Sequence, residues 1–241
     1  MRRILLAAFF IFSLQVVFAQ ADTVIRRSNP NAVPQVSGGD HFLVQYGYTS
    51  WSGKPDSINT KGFSRSFNMY LMFAFPFKTN PQWSVAIGPG ISTDHINMDK
   101  MYVGIKDATD AVVFKDVSDT NHFRKYKLAT AYLEAPVELR FTLYPERRSS
   151  FKVALGAKVG TILSAWVKGK ELQDKSDATL LDYISKEKSK QFFNSTRLSV
   201  MGRIGYGNFN IYGSYAITSL FKEGLGPQVK PWSIGITLSG L

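Results

Sequence analysis

Three histidines (His41, His95 and His122) and no cysteine leave few side chains in this chain that could catalyse a reaction or hold a metal. The one pairing of interest is Asp94-His95, with Ser92 close by, residue types that serve hydrolases and acyltransferases. They sit in a stretch of two-residue alternation, where neighbouring side chains project to opposite faces, so the dipeptide does not itself make a dyad. The Gly88-Pro-Gly90 segment lacks the strand–loop–helix context of a phosphate loop and reads as a thin spot or a bend. No catalytic residue, metal or cofactor is expected, and the chain is not expected to be an enzyme.

A different chemistry is written at alternate positions. Glu134, Glu138, Arg140, Lys152, Lys158, Arg197 and Arg203 all fall on the polar side of alternating segments, several of them in mid-strand. On a soluble protein such residues are solvated surface, whereas inside a narrow barrel opposite charges must pair to offset desolvation. Centring the hairpin of residues 126–167 on Arg148 sets Glu138 opposite Lys158 and predicts that pair.

The elements that must position these charges are alternating strands. The clearest is the hairpin Arg197–Tyr206, Gly207-Asn208, Phe209–Thr218. A two-residue turn places Tyr206 opposite Phe209, Ile204 opposite Ile211, Val200 opposite Tyr215 and Arg203 opposite Tyr212, so one face is wholly apolar. Further alternating segments span 41–49, 65–77, 83–97, 126–144, 151–167 and 231–241, which makes eight strands, an even number suited to antiparallel closure. Connections at 78–82, 145–150 and 207–208 are short. Those at 50–64, 98–125, 168–194 and 219–230 are long, so short and long loops segregate to opposite ends of the sheet, with a short helix expected inside 177–190.

Alternation alone does not say which face points inward, since a lipocalin-like secreted barrel also alternates, with its oily face inside. Strands of ten or more residues suit a bilayer crossing. Aromatics on the apolar face gather near strand ends: Phe75, Phe77, Trp83, Phe141, Phe151, Tyr206, Phe209 and Trp232, most of them beside the short turns, where a membrane-interface girdle belongs. The reading is all-β: an eight-stranded antiparallel transmembrane β-barrel with short periplasmic turns and long extracellular loops.

The start of the chain sets the compartment. Met1-Arg2-Arg3, an apolar run to Phe18 and Ala19-Gln20 form a secretory signal peptide, residues 1–19, with cleavage after Ala19 or Ala21. Residues 20–40 read as a flexible leader and 41–241 as the barrel. The 29 basic and 18 acidic residues fall to 27 and 18 once Arg2 and Arg3 are removed, a charge of +9. Lysines cluster with acids in polar segments such as 168–190, a pattern of solvated loops and of attraction to anionic headgroups, so no nucleic acid is expected as a partner.

The signal peptide ending Phe18-Ala-Gln20, the segment Ala131-Tyr-Leu-Glu-Ala-Pro-Val-Glu-Leu-Arg-Phe141, the strand Ala154-Leu-Gly-Ala-Lys-Val-Gly160 and a final strand reaching Leu241 together resemble a known family. It is the outer-membrane β-barrel domain family common in Bacteroidetes, sometimes described as PorT-like. The resemblance covers residues 41–241 and implies fold and location, with no catalytic or binding residue carried over. Some members are linked to protein secretion and gliding motility. The expected partners are outer-membrane lipid, the barrel-insertion machinery and envelope proteins met through the loops. The expected role is structural, adhesive or accessory to an envelope complex, without a wide pore. Two other readings stand beside it: a soluble periplasmic barrel with a small apolar ligand, and an outer-membrane enzyme acting on lipid or peptide through Asp94 and His95.

Overall fold

The computed structural model describes residues 41–147 and 149–240. The expected signal peptide of residues 1–19, the expected leader of residues 20–40, Arg148 and Leu241 lie outside the described residues. Thirteen strands are found among the described ones: β1 (Phe42–Ser52), β2 (Arg65–Leu71), β3 (Phe73–Pro76), β4 (Trp83–Ile87), β5 (Gly90–Met98), β6 (Met101–Gly104), β7 (Val113–Asp116), β8 (His122–Thr142), β9 (Phe151–Gln173), β10 (Thr179–Lys188), β11 (Thr196–Tyr206), β12 (Phe209–Ala216) and β13 (Lys230–Ser239). Antiparallel pairing runs β8–β9–β11–β12–β13–β1–β2–β5, and β5 pairs β8 again, so the sheet returns on itself. β3 and β4 continue the walls of β2 and β5, with β4 also pairing β8.

The segments 65–77 and 83–97, expected as continuous strands, are each interrupted. Pro89 has no N–H for the ladder, and its carbonyl instead accepts from the N–H of Leu71 at 2.9 Å. A Cβ at Gly90 would stand 2.1 Å from the ring of Tyr70, so only glycine lets that ring lie across the inner face.

The β11–β12 hairpin has the register read from sequence, with Tyr206 facing Phe209 and Arg203 facing Tyr212. Its turn closes through Gly207, whose φ of 59° a glycine adopts without strain.

The β8–β9 hairpin differs from its expected register by two residues. Glu138 faces Gly156, and Lys158 faces Pro136. Its turn is fixed by the N–H of Tyr144 donating to Ser150 Oγ at 2.8 Å and that of Arg147 donating to the Tyr144 carbonyl at 3.1 Å, which sets the centre one residue before Arg148. Higher up, Ala131 faces Ser164 and Tyr132 faces Ile162, so Leu163 is an extra residue in a β-bulge. Below it the even-numbered residues of β9 point inward, as Ala154 and Lys158 do; above it Ala165 and Val167 do.

The helix expected within 177–190 is instead the strand β10. Leu180, Leu181 and Ile184 suit a helical turn, but β9 runs on to Gln173 and offers an open edge, and the pairing overrides local spacing. The long connection 98–125 likewise holds the β6–β7 hairpin and the first residues of β8.

Buried apolar residues form two groups. A small one at the short-turn end comprises Leu43, Tyr70, Met72 and Ala86. A large one at the long-loop end joins inward wall residues such as Met98, Leu128 and Val167 to loop residues such as Val103, Ile105, Phe192, Phe193, Phe221 and Val229.

Candidate functional site

The inward charges are organised around Arg197. Its side chain is 7% exposed. It donates from Nε and Nη2 to Glu134 Oε1 at 3.0 and 2.5 Å, from Nη1 to Asp94 Oδ2 at 2.5 Å and from Nη2 to Ser92 Oγ at 2.7 Å. Its guanidinium also lies 3.9 Å from the ring centre of Tyr132. Glu134 completes its shell with the Tyr70 hydroxyl at 2.6 Å and Lys158 Nζ at 3.2 Å. The predicted partner of Lys158 is therefore replaced: it pairs with Glu134, four residues before Glu138 on β8. Glu138 is held by Arg140 at 2.7 Å and Arg203 at 3.1 Å. Lys152 is half-buried, toward the short-turn end. Beside the charges, Ser92, Asn68, Gln45 and Thr237 form a chain of side-chain hydrogen bonds of 2.7 to 3.1 Å across the ring. Burial of so many polar groups is tolerated because Glu134, Glu138, Arg140, Lys158, Arg197 and Arg203 each have a counter-charge.

Asp94 and His95 are separated. Asp94 turns inward to Arg197, whereas the His95 ring packs outside at 5.9 Å from Trp166.

The outer wall is apolar and open. Tyr206 and Phe209 are 63% and 69% exposed, and Phe75, Phe77, Trp83 and Phe151 are also exposed, with Phe141 half-buried. Trp83 and Phe141 pack at 5.1 Å near the short-turn end. Trp232 lies at the opposite end, 5.6 Å from Tyr48, which in turn touches Phe63 at 5.5 Å. Aromatics thus border the apolar wall at both ends.

The long loops pack into a cap, which loop composition did not reveal. Phe221 is fully buried among Trp51, Phe114 and Phe193 at 5.0 to 6.3 Å. Backbone bonds tie one loop to another, such as Val112 N–H to the Leu225 carbonyl and Asn194 N–H to the Leu220 carbonyl. The paired aromatics Phe192-Phe193 were the available signal. One element stands apart from this packing: β10 pairs only with β9, and its Leu180, Leu181, Tyr183 and Ile184 are exposed. The turn beneath it is clamped by Asp177, whose carboxylate accepts from Lys100 at 2.8 Å and His122 at 2.9 Å. The hydrogen bond from Lys100, then that from His122, holds the Asp177 carboxyl below its ordinary range.

No curated protein matches the chain. Two crystal structures of Ail, the attachment invasion locus protein of Yersinia pestis, are similar to it, one of them in complex with the heparin analogue sucrose octasulfate. They are 16% and 14% identical, cover 82% of this chain and 95% of theirs, and have TM-scores of 0.34 and 0.32. Residues 35–222 match the family model described as outer membrane protein beta-barrel domain. The chain belongs to the outer membrane protein beta-barrel domain family.

Proposed function

We propose that this outer-membrane protein is an eight-stranded barrel, counting β2 with β3 and β4 with β5 as single walls, and that it docks a protein partner through the β9–β10 hairpin that stands beside its folded outer cap. In this reading the short turns face the periplasm and the long loops face outward. Glu134, Glu138, Arg140, Lys152, Lys158, Arg197 and Arg203 fill the lumen, and the eight wall aromatics mark the two interfaces. The soluble alternative with an apolar ligand needs an oily interior, whereas here the ionised side chains occupy it and the oily face is outside.

The observation that carries the docking role is the β9–β10 hairpin. A strand with one edge unpaired and exposed Leu181 and Ile184 is a template for an added strand from another protein. Such an edge on a rigid base suits an adhesive or accessory role better than transport.

The test is site-specific photo-crosslinking in intact cells. A crosslinker at Leu181 is expected to give a discrete protein adduct, and one at Leu155, on the apolar wall, none of the same mass. Adducts of equal mass and yield from both positions, or release of the protein by carbonate extraction, would overturn the proposal.

A further inference from the structure

The outer face of the sheet changes character abruptly at Trp166. Below it the wall is apolar, through Leu133, Leu163 and Val159. At its level the rings of Trp166 and His95 pack together over the buried Ala129, with Arg65 paired to His95 on the next strand. One rung higher, Asn97, Lys127, Lys168 and Lys186 face one another across four adjacent strands, and the next rung sets Lys125 against Lys170. The bulge at Leu163 produces this by turning the even-numbered residues of β9 outward above it.

Like charges directly opposite on neighbouring strands repel, so three lysines on one rung cost stability unless an anion lies between them. Counter-charges within the chain reach only the margin. Lys61 pairs Asp99 at 2.9 Å, while Arg124 and Lys170 share Glu171 at 2.6 and 3.1 Å. Among the described residues no carboxylate pairs with Arg65, Lys125, Lys127, Lys168 or Lys186. Most of these side chains line a cleft of about 530 Å³ that opens on the wall side of the loops.

We propose that this cleft binds the phosphate-bearing headgroup of a lipid in the outer leaflet, with Lys127 and Lys168 as its central contacts. The position selects a lipid over a soluble anion. A Trp ring marks the depth at which apolar wall meets headgroups, and the lysine rungs begin one residue above it. A phosphate there sits among the lysines while its acyl chains run down Leu163 and Val159.

The proposal rests on the membrane orientation given above, and the experiment separates the two. The full chain is reconstituted in phosphatidylcholine nanodiscs doped with lipid A, and retained lipid is counted by native mass spectrometry. Wild-type protein is expected to keep lipid A in low salt and to lose it in high salt. At about 1 kcal/mol for each lysine near a headgroup layer, Lys127→Ala with Lys168→Ala should weaken retention about 30-fold. The same double change at Lys106 and Lys175, outside the cleft, should leave it unaltered. Because the lysines repel, the cleft variant should melt no lower than wild type in phosphatidylcholine alone.

Equal retention by wild type and the cleft variant overturns the cleft and leaves the barrel standing. So does inorganic phosphate that displaces lipid A at equal concentration, since the site then takes a free anion. Protein that does not enter nanodiscs at all overturns the orientation and the cleft with it.

Discussion

Arg197 shows how a single residue is committed to the interior. It makes four donor contacts to two carboxylates and a serine, so its removal leaves Glu134 and Asp94 buried beside too little positive charge. Arg197→Met is expected to cost about 3 to 5 kcal/mol, read as a lower urea midpoint of the protein in detergent. Adding Glu134→Gln to that variant should recover part of the loss, because the second change removes one of the stranded charges. A single-variant loss under about 1 kcal/mol would mean that water or other groups already solvate the pair. The residue type and its inward side were legible in the alternation of β11. Its partners were not, because they come from β5 and β8, about 63 to 105 residues distant in the chain.

At the scale of elements, the β9–β10 hairpin depends on its clamp. Lys100 and Asp177 both hold positive φ, 47° and 63°, a left-handed conformation that few residues other than glycine adopt. The Lys100–Asp177–His122 contact joins these two turns to the start of β8. Asp177 is held below the ordinary carboxylate value in the folded state, so the clamp's contribution is present above about pH 4 and is lost as pH falls through the depressed value. Hydrogen exchange of residues 174–188 should therefore accelerate below about pH 4, whereas the amides of β11 and β12 stay slow. Asp177→Asn is expected to show the faster exchange already at neutral pH and no acid step. An acid step of equal size in that variant would assign the clamp to another group. The same hairpin shows where local patterns mislead: the spacing of Leu180, Leu181 and Ile184 is helical, and only the free edge of β9 made a strand of it.

For the whole molecule, the cap and the wall are distinct in what stabilises them. The wall gains from ladder bonds and, in the proposed orientation, from lipid around its apolar face, while the cap is closed by its own aromatic packing. Phe221→Ala removes the ring that touches Trp51, Phe114 and Phe193, a loss of about 3 to 5 kcal/mol confined to the cap. Trypsin added to the inserted protein should then cut at lysines of the 98–121, 189–195 and 217–229 loops that wild type protects, with the strands β8 to β13 otherwise uncut on a gel. Loss of the whole barrel to the protease would show that cap and wall fold as one unit. The chain by itself determined the alternation, the hairpin at Gly207-Asn208, the apolar wall and the segregation of short turns from long loops, because each follows from the two-residue period of a strand and from local turn chemistry. Only the tertiary structure decided which carboxylate meets which base, the register around Arg148, the bulge that aims lysines outward and the fusion of four loops into a cap. Those depend on contacts between segments far apart in sequence, where a shift of one or two residues changes every partner and leaves the local pattern untouched.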